Sequence, residues 1–451
     1  MDWKTQKVLV AGSGKSGIGA TDLLKKVGAE VIIYDGNDKL KEEDVLNKLE
    51  NKEDVKVILG ELEDSVINEI DMMVLSPGIA IDAPFVLRVK EAGVPIWGEI
   101  ELAYVIGKGK LAAITGTNGK TTTTALVGEI MANYYDKVDV VGNIGNPYTT
   151  TAFDSTDDTV TVAEISSFQL ETIHTFKPDV SAVLNITPDH LNRHYTMECY
   201  TDVKMSIAKN QDSNQPIVLN YEDPILREYA GKLTNRIIWF SSKQKVNPGV
   251  YLEGKNIIYA DGKKETFVTT TEDTTLVGIH NVENIMAAIA ISINMDVPVD
   301  IIRETIRKFK AVPHRIEYVE TINDVIYYND SKGTNTDASI KAIEAMSRPT
   351  ILIAGGYDKK VSFDDWAEAF GDKVKCLVLL GQTAEQIADT VKKHGFTNII
   401  FTESLKEAVD ECAKNAKPGD AVLLSPACAS WGMFKNYEER GDKFKELVNN
   451  L

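Results

Sequence analysis

The sequence predicts an α/β protein of several domains, on three observations. Short apolar runs with the character of β-strands alternate with segments of helical periodicity along the whole chain. Two of these runs lead into glycine-rich turns, at 12–17 and at 116–121, and polar residues follow several others. At 451 residues, the chain is too long for a single compact core of ordinary size.

Composition narrows the classes of function. A net charge of −18 argues against nucleic acid or an anionic membrane as partner, but allows anionic small substrates in a locally basic cleft. The four cysteines are scattered without a CxxC pair, which indicates reduced thiols. No apolar run approaches the roughly 20 residues of a membrane span, and the N-terminus lacks a signal peptide. We therefore expect a cytoplasmic protein without membrane insertion.

The first 98 residues predict a Rossmann-like domain. An apolar run leads into Gly12-x-Gly14-x-x-Gly17, and a second strand ends at Asp35. This pattern is typical of NAD binding and makes a dehydrogenase one hypothesis, although a glycine turn at a helix N-terminus specifies only a phosphate-bearing ligand. The turn at Gly78 follows another strand, where it is either a ligand-binding loop or a plain Pro-Gly turn.

Residues 99–311 predict a central P-loop mononucleotide-binding domain with a mostly parallel sheet. An apolar run leads into Gly116-Thr117-Asn118-Gly119-Lys120-Thr121 and then into helical periodicity. Backbone N–H groups and the Lys120 ammonium can converge there on phosphate oxygens, while a threonine hydroxyl reaches magnesium. The usual phosphate loop has glycine where this chain has Ile114, so the motif is shortened. We interpret it as a nucleotide site rather than an ordinary strand-helix connection.

Polar residues follow three further strands of this domain. Asn143 and Glu164 each stand at the end of an apolar run, and a carboxylate beside a phosphate loop is the usual arrangement for holding magnesium. His190 follows the next strand end, which brings it toward the same cleft, although a plain loop or capping histidine is the commoner case. Lys204 lies in a helical segment, where a solvated lysine is the commoner outcome. Asn281 and Asn284 precede a long apolar helix, which they could cap, or one of their amides could bond a nucleotide base.

Residues 312–451 predict a C-terminal Rossmann-like, doubly wound domain. Strand, polar turn and helix recur there, with Asp330, Lys332 and Thr334 in one turn and Lys359 with Lys360 in another. Ligands of such domains bind at the carboxyl ends of the strands, so these side chains are candidates for a binding site.

Nine sequence blocks occur in a fixed order over all three segments: TGTNGKTT, VGNIG, AEISSFQLE, NITPDHLNRH, GIHNVENIMAA, VPHRIE, NDSKGTN, AGGYDKK and LLSPACASWGMFKNYEERGDKF. In this order they resemble the Mur ligase family from end to end, including its shortened phosphate loop. The resemblance implies an ATP-dependent, ADP-forming amide ligase acting through an acyl phosphate. It also implies UDP-N-acetylmuramoyl-L-alanine, D-glutamate and ATP as substrates, in cytoplasmic peptidoglycan precursor synthesis, and a monomer.

The resemblance also implies roles for individual residues. Lys120, Glu164, His190 and Lys204 would be catalytic, with Thr121 and Glu164 on one Mg²⁺. Glu164, His190 and a Lys204 carbamylated by CO₂ would serve a second Mg²⁺. The ATP site would comprise Gly116, Thr117, Asn118, Gly119, Lys120, Thr121, Thr122, Asn284, His314, Arg315 and Asp330. The sites for the UDP-sugar substrate and the amino acid would comprise Gly14, Lys15, Ser16, Asp35, Gly78, Asn143, Lys332, Thr334, Lys359 (or Lys360), Ser430 and Tyr437.

Three alternatives remain open at this stage. An NAD-dependent oxidoreductase would account for residues 12–35 alone, and a noncatalytic nucleotide-binding scaffold would account for the phosphate loop alone. A Mur-type ligase for a different amino acid is the third. Lysine- and diaminopimelate-adding relatives are expected to carry a D-N-P-R motif in the last domain, and its absence favours D-glutamate.

Overall fold

The computed structural model describes residues 2–310, 312–358 and 361–451 and confirms the predicted fold class: three α/β domains, each with a mostly parallel sheet. By contacts the chain forms two compact units. The first comprises Met1–Asp273 with Glu283–Lys308, and the second comprises Thr274–Val282 with Phe309–Leu451. The domain boundaries at 98 and 311 stay predictions. No helix in the described ranges is long and apolar enough to cross a membrane.

The first sheet has five parallel strands in the order β3-β2-β1-β4-β5. The strand order reverses between β1 and β4, so their carboxyl ends flank the crevice in which open α/β sheets bind ligands. The elements are β1 (Lys7–Ala11), α1 (Lys15–Val27), β2 (Glu30–Asp35), α2 (Glu42–Leu46), β3 (Lys56–Leu59), α3 (Asp64–Ile67), β4 (Met72–Leu75), α4 (Pro84–Glu91) and β5 (Ile96–Gly98), after a 3₁₀ turn at Trp3–Thr5.

The second sheet, in the same unit, has nine strands in the order β14-β13-β12-β11-β10-β9-β6-β8-β7. The elements are α5 (Glu99–Ile106), β6 (Lys110–Thr115), α6 (Lys120–Ala132), β7 (Val138–Gly142), β8 (Val160–Glu164), α7 (Ser167–Leu170), β9 (Val180–Val183), α8 (Leu191–His194), α9 (Met197–Met205), β10 (Pro216–Asn220), α10 (Pro224–Ala230), β11 (Arg236–Ser241), β12 (Gly249–Glu253), β13 (Asn256–Ala260), β14 (Glu265–Thr270), α11 (Ile279–Asn294) and α12 (Val299–Lys308), with 3₁₀ turns at Tyr148–Thr150, Ala152–Asp154 and Ser206–Ala208.

Strands β12, β13 and β14 form an antiparallel meander at one side of this sheet, whereas the strands from β7 to β12 pair in parallel. The hairpin turns carry Gly254 and Gly262 at positive φ, a conformation that favours glycine. The edge strand β14 is irregular against β13. Arg303 of α12 donates to the backbone carbonyls of Phe267 and Val268 on that strand, and its guanidinium lies 5.6 Å from the Phe267 ring.

The third sheet, in the second unit, has the order β15-β16-β20-β17-β18-β19, and only the β15–β16 pair is antiparallel. Its central strands are fully buried, as expected when helices cover both faces. The elements are β15 (Glu317–Ile322), β16 (Val325–Asn329), α13 (Thr336–Ala345), β17 (Thr350–Ala354), α14 (Asp364–Glu368), β18 (Val374–Leu379), α15 (Ala384–Lys393), β19 (Ile399–Phe401), α16 (Leu405–Asn415), β20 (Ala421–Leu424) and α17 (Tyr437–Asn449).

Candidate active site

The phosphate loop has the predicted strand, turn and helix. It runs from the end of β6 to the start of α6, with Gly116 at φ 150° and Gly119 at φ 83°. A Cβ on Gly119 would lie 2.2 Å from Oδ1 of Asn284, so the Asn284 amide lies directly against this backbone. Helix α11 begins at Ile279, which places Asn284 inside the helix and corrects the expectation that it could be a cap.

The segment after β9 braces the loop from the side. Asn185 accepts a hydrogen bond from the Asn118 backbone N–H at 2.8 Å and donates one to the Asn118 carbonyl at 3.1 Å. The hydroxyl of Thr117 lies 3.1 Å from the Thr187 carbonyl and 3.2 Å from the hydroxyl of Tyr200. The loop is therefore held by neighbours that come from later in the chain.

Lysine side chains gather at the first residue of the loop. Lys120 donates to the carbonyls of Gly116 and Thr117 at 2.9 Å each. Lys204 of α9 donates to the same Gly116 carbonyl, also at 2.9 Å, and is only 2% exposed. It is therefore not the solvated helix lysine that is the commoner outcome for this residue type. Burial, with the nearby charge of Lys120, holds the pKa of Lys204 well below its usual range.

Glu164 is the last residue of β8, beside β6, and is 1% exposed. Its Oε1 accepts a hydrogen bond of 2.9 Å from the side chain of Asn143, whereas its Oε2 is buried without a hydrogen-bond partner. The Asn143 backbone N–H also donates to the Glu164 carbonyl at 2.8 Å. A buried carboxylate oxygen without a partner is costly, and it suits a position that receives a cation.

His190 is the N-cap residue of α8, in the left-handed conformation at φ 53°, and makes no side-chain capping bond. Its ring lies 4.8 Å from the ring of Phe168, and its Nε2 lies 3.4 Å from Asp189. Burial lowers its pKa below the ordinary value, although Asp189 opposes the shift. The imidazole is therefore favoured in the neutral form, which can ligate a metal.

The predicted metal ligands are not a cluster made up only of Asp, Glu, His and Cys side chains. In the part of the chain that the structure describes, no three or more His, Cys, Asp or Glu side chains are grouped so as to hold a metal ion. The predicted ligand set also includes the Thr121 hydroxyl and a modified Lys204, which are not of these four residue types.

The first sheet carries a cavity of about 630 Å³ at its carboxyl edge. Ser76, Pro77 and Ile79 line it, and so do all five predicted residues of this domain: Gly14, Lys15, Ser16, Asp35 and Gly78. Oδ2 of Asp35 accepts hydrogen bonds from the backbone and hydroxyl of Ser13, at 3.0 and 2.6 Å. Burial alone would raise the pKa of Asp35, but these bonds and that from Asn37 hold it below the ordinary value.

The second unit gathers several of the remaining predicted residues. Asp330 is 5% exposed, accepts a hydrogen bond of 2.7 Å from Ser425, and has a pKa raised by burial to about 7. The His314 ring lies 5.9 Å from that of Tyr437, and the Lys332 ammonium lies 5.4 Å from the same tyrosine ring.

Three further predicted residues of this unit are Arg315, Thr334 and Ser430. Nε of Arg315 is buried without a hydrogen-bond partner. Thr334 donates its backbone N–H to the Lys332 carbonyl at 2.8 Å, and Ser430 is buried. Lys359 and its alternative Lys360 lie outside the described residues.

Two residues near the site escaped the sequence reasoning. Phe168 packs against His190 and His194, and Arg193 lies over the same phenylalanine ring. Both occur in blocks that carry the family resemblance, AEISSFQLE and NITPDHLNRH. Their spacing to the catalytic residues was the available signal, but it does not reveal which partners they contact.

The fold and this loop define a class of ATP-using α/β enzymes, and family models place the chain within it. The Mur ligase MurD-like N-terminal domain matches residues 6–98, the Mur ligase middle domain 114–292, and the Mur ligase glutamate ligase domain 314–428. The chain belongs to the Mur ligase family. This membership decides against the oxidoreductase alternative for the first glycine turn.

Curated relatives extend the match over the full length. The chain is 58% identical to a protein of Lachnospira eligens, 55% to one of Lachnoclostridium phytofermentans and 48% to one of Clostridioides difficile, each named UDP-N-acetylmuramoylalanine--D-glutamate ligase. The alignments cover 100% of this chain and 100%, 99% and 100% of those proteins.

Solved structures show the same fold at low identity. UDP-N-acetylmuramate-alanine ligase MurC of Thermotoga maritima aligns with a TM-score of 0.61 at 18% identity, over 99% of both chains. MurF ligase of the same organism, in complex with ADP, aligns with a TM-score of 0.61 at 17% identity, over 100% of both chains.

Proposed function

We propose that this protein is an ADP-forming ligase that joins D-glutamate to the carboxylate of UDP-N-acetylmuramoyl-L-alanine, in peptidoglycan precursor synthesis. The full-length relatives of that name support the choice of substrates. One structural observation carries the reaction class. Glu164 presents a buried carboxylate oxygen without a hydrogen-bond partner beside the strand that leads into the phosphate loop.

The chemistry explains the need for ATP. A carboxylate is a poor acylating agent, so it attacks the γ phosphate of ATP to give an acyl phosphate and ADP. The amine of D-glutamate then attacks the acyl carbon and phosphate leaves. Phosphoryl transfer of this kind depends mainly on positioning and charge stabilisation, which a phosphate loop with a lysine at its end can supply.

The chain's own residues would bind and orient the nucleotide. The backbone N–H groups at the start of α6 would bind the phosphates, and the Lys120 ammonium, which donates to the Gly116 carbonyl of the same loop, would assist. Asn143 fixes one oxygen of Glu164 and leaves the other available. Asn185 and Tyr200 keep the loop in shape.

The buried Oε2 of Glu164, which has no hydrogen-bond partner, supports a magnesium site. Thr121 and Glu164 would hold one ion, and Glu164 with His190 and a carbamylated Lys204 would serve a second. When bound, magnesium neutralises the charge that builds up on the phosphate oxygens during transfer. The low pKa of Lys204 supports the modification, since the neutral amine is the form that adds CO₂, and the carbamate replaces a cation by an anion.

The remaining predicted residues would bind the other groups. The first-sheet cavity, with Gly14, Lys15, Ser16, Asp35 and Gly78, would hold the UDP end of the sugar substrate. Asn284, His314, Arg315 and Asp330 would complete the ATP site, and Lys332, Thr334, Lys359, Ser430 and Tyr437 would bind D-glutamate. We further propose that the protein acts as a cytoplasmic monomer.

The test is phosphate release by the purified protein with ATP, Mg²⁺ and UDP-N-acetylmuramoyl-L-alanine, with one amino acid added at a time. D-Glutamate is expected to support turnover, whereas L-glutamate, L-lysine and diaminopimelate are not. The variant K120A is the control for phosphate release by contaminants. A preference for another amino acid would overturn the D-glutamate assignment, and no release with any amino acid would overturn the ligase.

A further inference from the structure

Arg193, for which no role is predicted from the sequence, joins two parts of the first unit. It lies in α8, three residues after His190, and its side chain is 13% exposed. Its guanidinium lies 4.4 Å from the ring of Phe168, which also packs against His190. An arginine so nearly buried is costly unless its donors are satisfied.

The N–H donors of Arg193 contact two different parts of the chain. Nε lies 3.3 Å from Oε1 of Glu171, and Nη2 contacts Oε2 of the same carboxylate, which is 4% exposed. Nη1 donates to the Pro77 carbonyl at 3.2 Å, and Nη2 donates to the Ile79 carbonyl at 2.8 Å. The guanidinium therefore binds a carboxylate and two backbone carbonyls at once, which its planar set of five N–H donors permits.

The two carbonyls belong to the wall of the first-sheet cavity. Pro77, Gly78 and Ile79 all line it, in the turn that follows β4. Tyr195, two residues beyond Arg193, contacts Asp82 through its hydroxyl and so attaches the same stretch a second time. The wall of the cavity is thus tied to α8.

The carboxylate of Glu171 lies near the segments that carry predicted catalytic residues. Glu171 follows α7, which begins three residues after Glu164, and Oε1 of Glu171 also lies 3.5 Å from the buried His194. Since His190 directly precedes α8 and Glu164 ends β8, Arg193 links the cavity wall to both segments that carry predicted metal ligands.

We propose that Arg193 is a positioning residue that sets the distance between the UDP end of the substrate and the carboxylate that is phosphorylated. The inference rests on the proposed function. A substrate bound at both ends reacts only when its carboxylate lies within a fraction of an ångström of the reacting position. Displacement of the cavity wall therefore lowers both the affinity for the substrate and kcat. The affinity for UDP alone, which would occupy only the cavity, does not depend on that distance.

The test is the variant R193K, which keeps the positive charge beside Glu171 but cannot reach the carboxylate and both carbonyls. We expect UDP-N-acetylmuramoyl-L-alanine to bind about tenfold more weakly in calorimetry, with kcat reduced by about the same factor. The Kd of UDP and the KM of ATP are expected to stay within about twofold of wild type. R193Q, which also keeps a donor but no charge, is expected to follow the same pattern more strongly.

Arg227→Ala is the matched control. Arg227 also lies against an aromatic ring and donates to a backbone carbonyl, both of Tyr221, but it touches neither the cavity wall nor Glu171. R227A is expected to match wild type in all four measurements. If R193K bound UDP and the full substrate equally more weakly than wild type, the cavity wall would have collapsed and the positioning role would be overturned. Wild-type values of all four quantities in R193K would overturn it as well. A wild-type protein that neither binds UDP nor releases phosphate would instead overturn the proposed function.

Discussion

The side-chain amide of Asn143 donates a hydrogen bond of 2.9 Å to one oxygen of Glu164 and leaves the other oxygen buried without a partner. The asparagine thereby fixes the orientation of a carboxylate at the end of a buried strand. An acid held in this way can meet a cation without first losing other hydrogen bonds.

Replacing Glu164 by glutamine is expected to lower kcat by at least about 100-fold, because a neutral amide cannot balance the charge of a cation beside the phosphates. Asn143→Ala leaves the acid in place but frees its orientation, and a loss of about 10- to 100-fold is expected. The rate of phosphate release measures the loss of kcat in both variants. Asn133→Ala, at the far end of α6, serves as control, and E164Q with wild-type turnover would exclude the metal role.

Replacing Lys204 by alanine is expected to reduce kcat by about 100-fold or more, because the carbamate that would carry the negative charge is lost. Short carboxylic acids such as acetate are expected to restore part of the activity by filling the space. Lys209→Ala is the control, since burial lowers the pKa of Lys209 as well and its ammonium donates to the Ile173 carbonyl. An alanine variant at position 204 that is fully active without additive would refute the carbamate.

Glu99 makes the stability of the first unit depend on pH. It is 2% exposed, and burial raises its pKa from 4.5 to about 7, against the hydrogen bond from Gln169. Between these two values the folded chain keeps a proton that the unfolded chain has released, so the free energy of unfolding falls as pH rises from about 4.5 to about 7. Glu99→Gln should remove this loss, which amounts to about 3 kcal/mol at most.

Thermal unfolding of Glu99→Gln and wild type at pH 5 and pH 8 measures the effect. The variant should gain stability over wild type at pH 8 and little at pH 5. Glu101, on the same helix, provides the contrast, because it accepts hydrogen bonds from the backbone N–H groups of His174, Thr175 and Phe176. Glu101→Gln turns one acceptor into a donor and should destabilise the fold by about 2 kcal/mol. Equal effects of the two substitutions would contradict the assignment.

The two glycines at the start of α1 should respond differently to alanine. A Cβ on Gly17 would lie 1.8 Å from the Gly12 carbonyl oxygen, so Gly17→Ala should destabilise the protein by more than about 2 kcal/mol. A Cβ on Gly14 would meet no atom within 4 Å, and Gly14 is one of the residues that line the cavity. Gly14→Ala should therefore keep the melting temperature and raise the KM of the UDP-sugar substrate. A Gly17→Ala protein as stable as wild type would contradict the close approach.

Much of the fold and of the loop could be predicted from the sequence. The apolar run before Gly116 and the helical periodicity after Lys120 predict a strand and a helix, which the structure places at Lys110–Thr115 and Lys120–Ala132. Glu164 was predicted at a strand end and lies there. These features depend on neighbours in sequence, so periodicity and turn residues reveal them.

Contacts between distant segments could not be predicted. Arg193 meets Pro77 and Ile79 across more than 100 residues, and no local pattern marks that pairing. The burial of Lys204 was equally hidden, because a lysine in a helical segment is most often solvated and only the packing around Gly116 shows otherwise.

The contacts of Arg303 with the edge strand β14 bear on how the protein behaves at high concentration. An exposed edge strand offers unpaired backbone groups to another chain and is a common starting point for aggregation. Here the guanidinium occupies the carbonyls of Phe267 and Val268, and the strand is irregular at the same place. A neighbouring molecule therefore meets no continuous row of free carbonyls at these two residues, which hinders growth of the nine-stranded sheet from one molecule into the next.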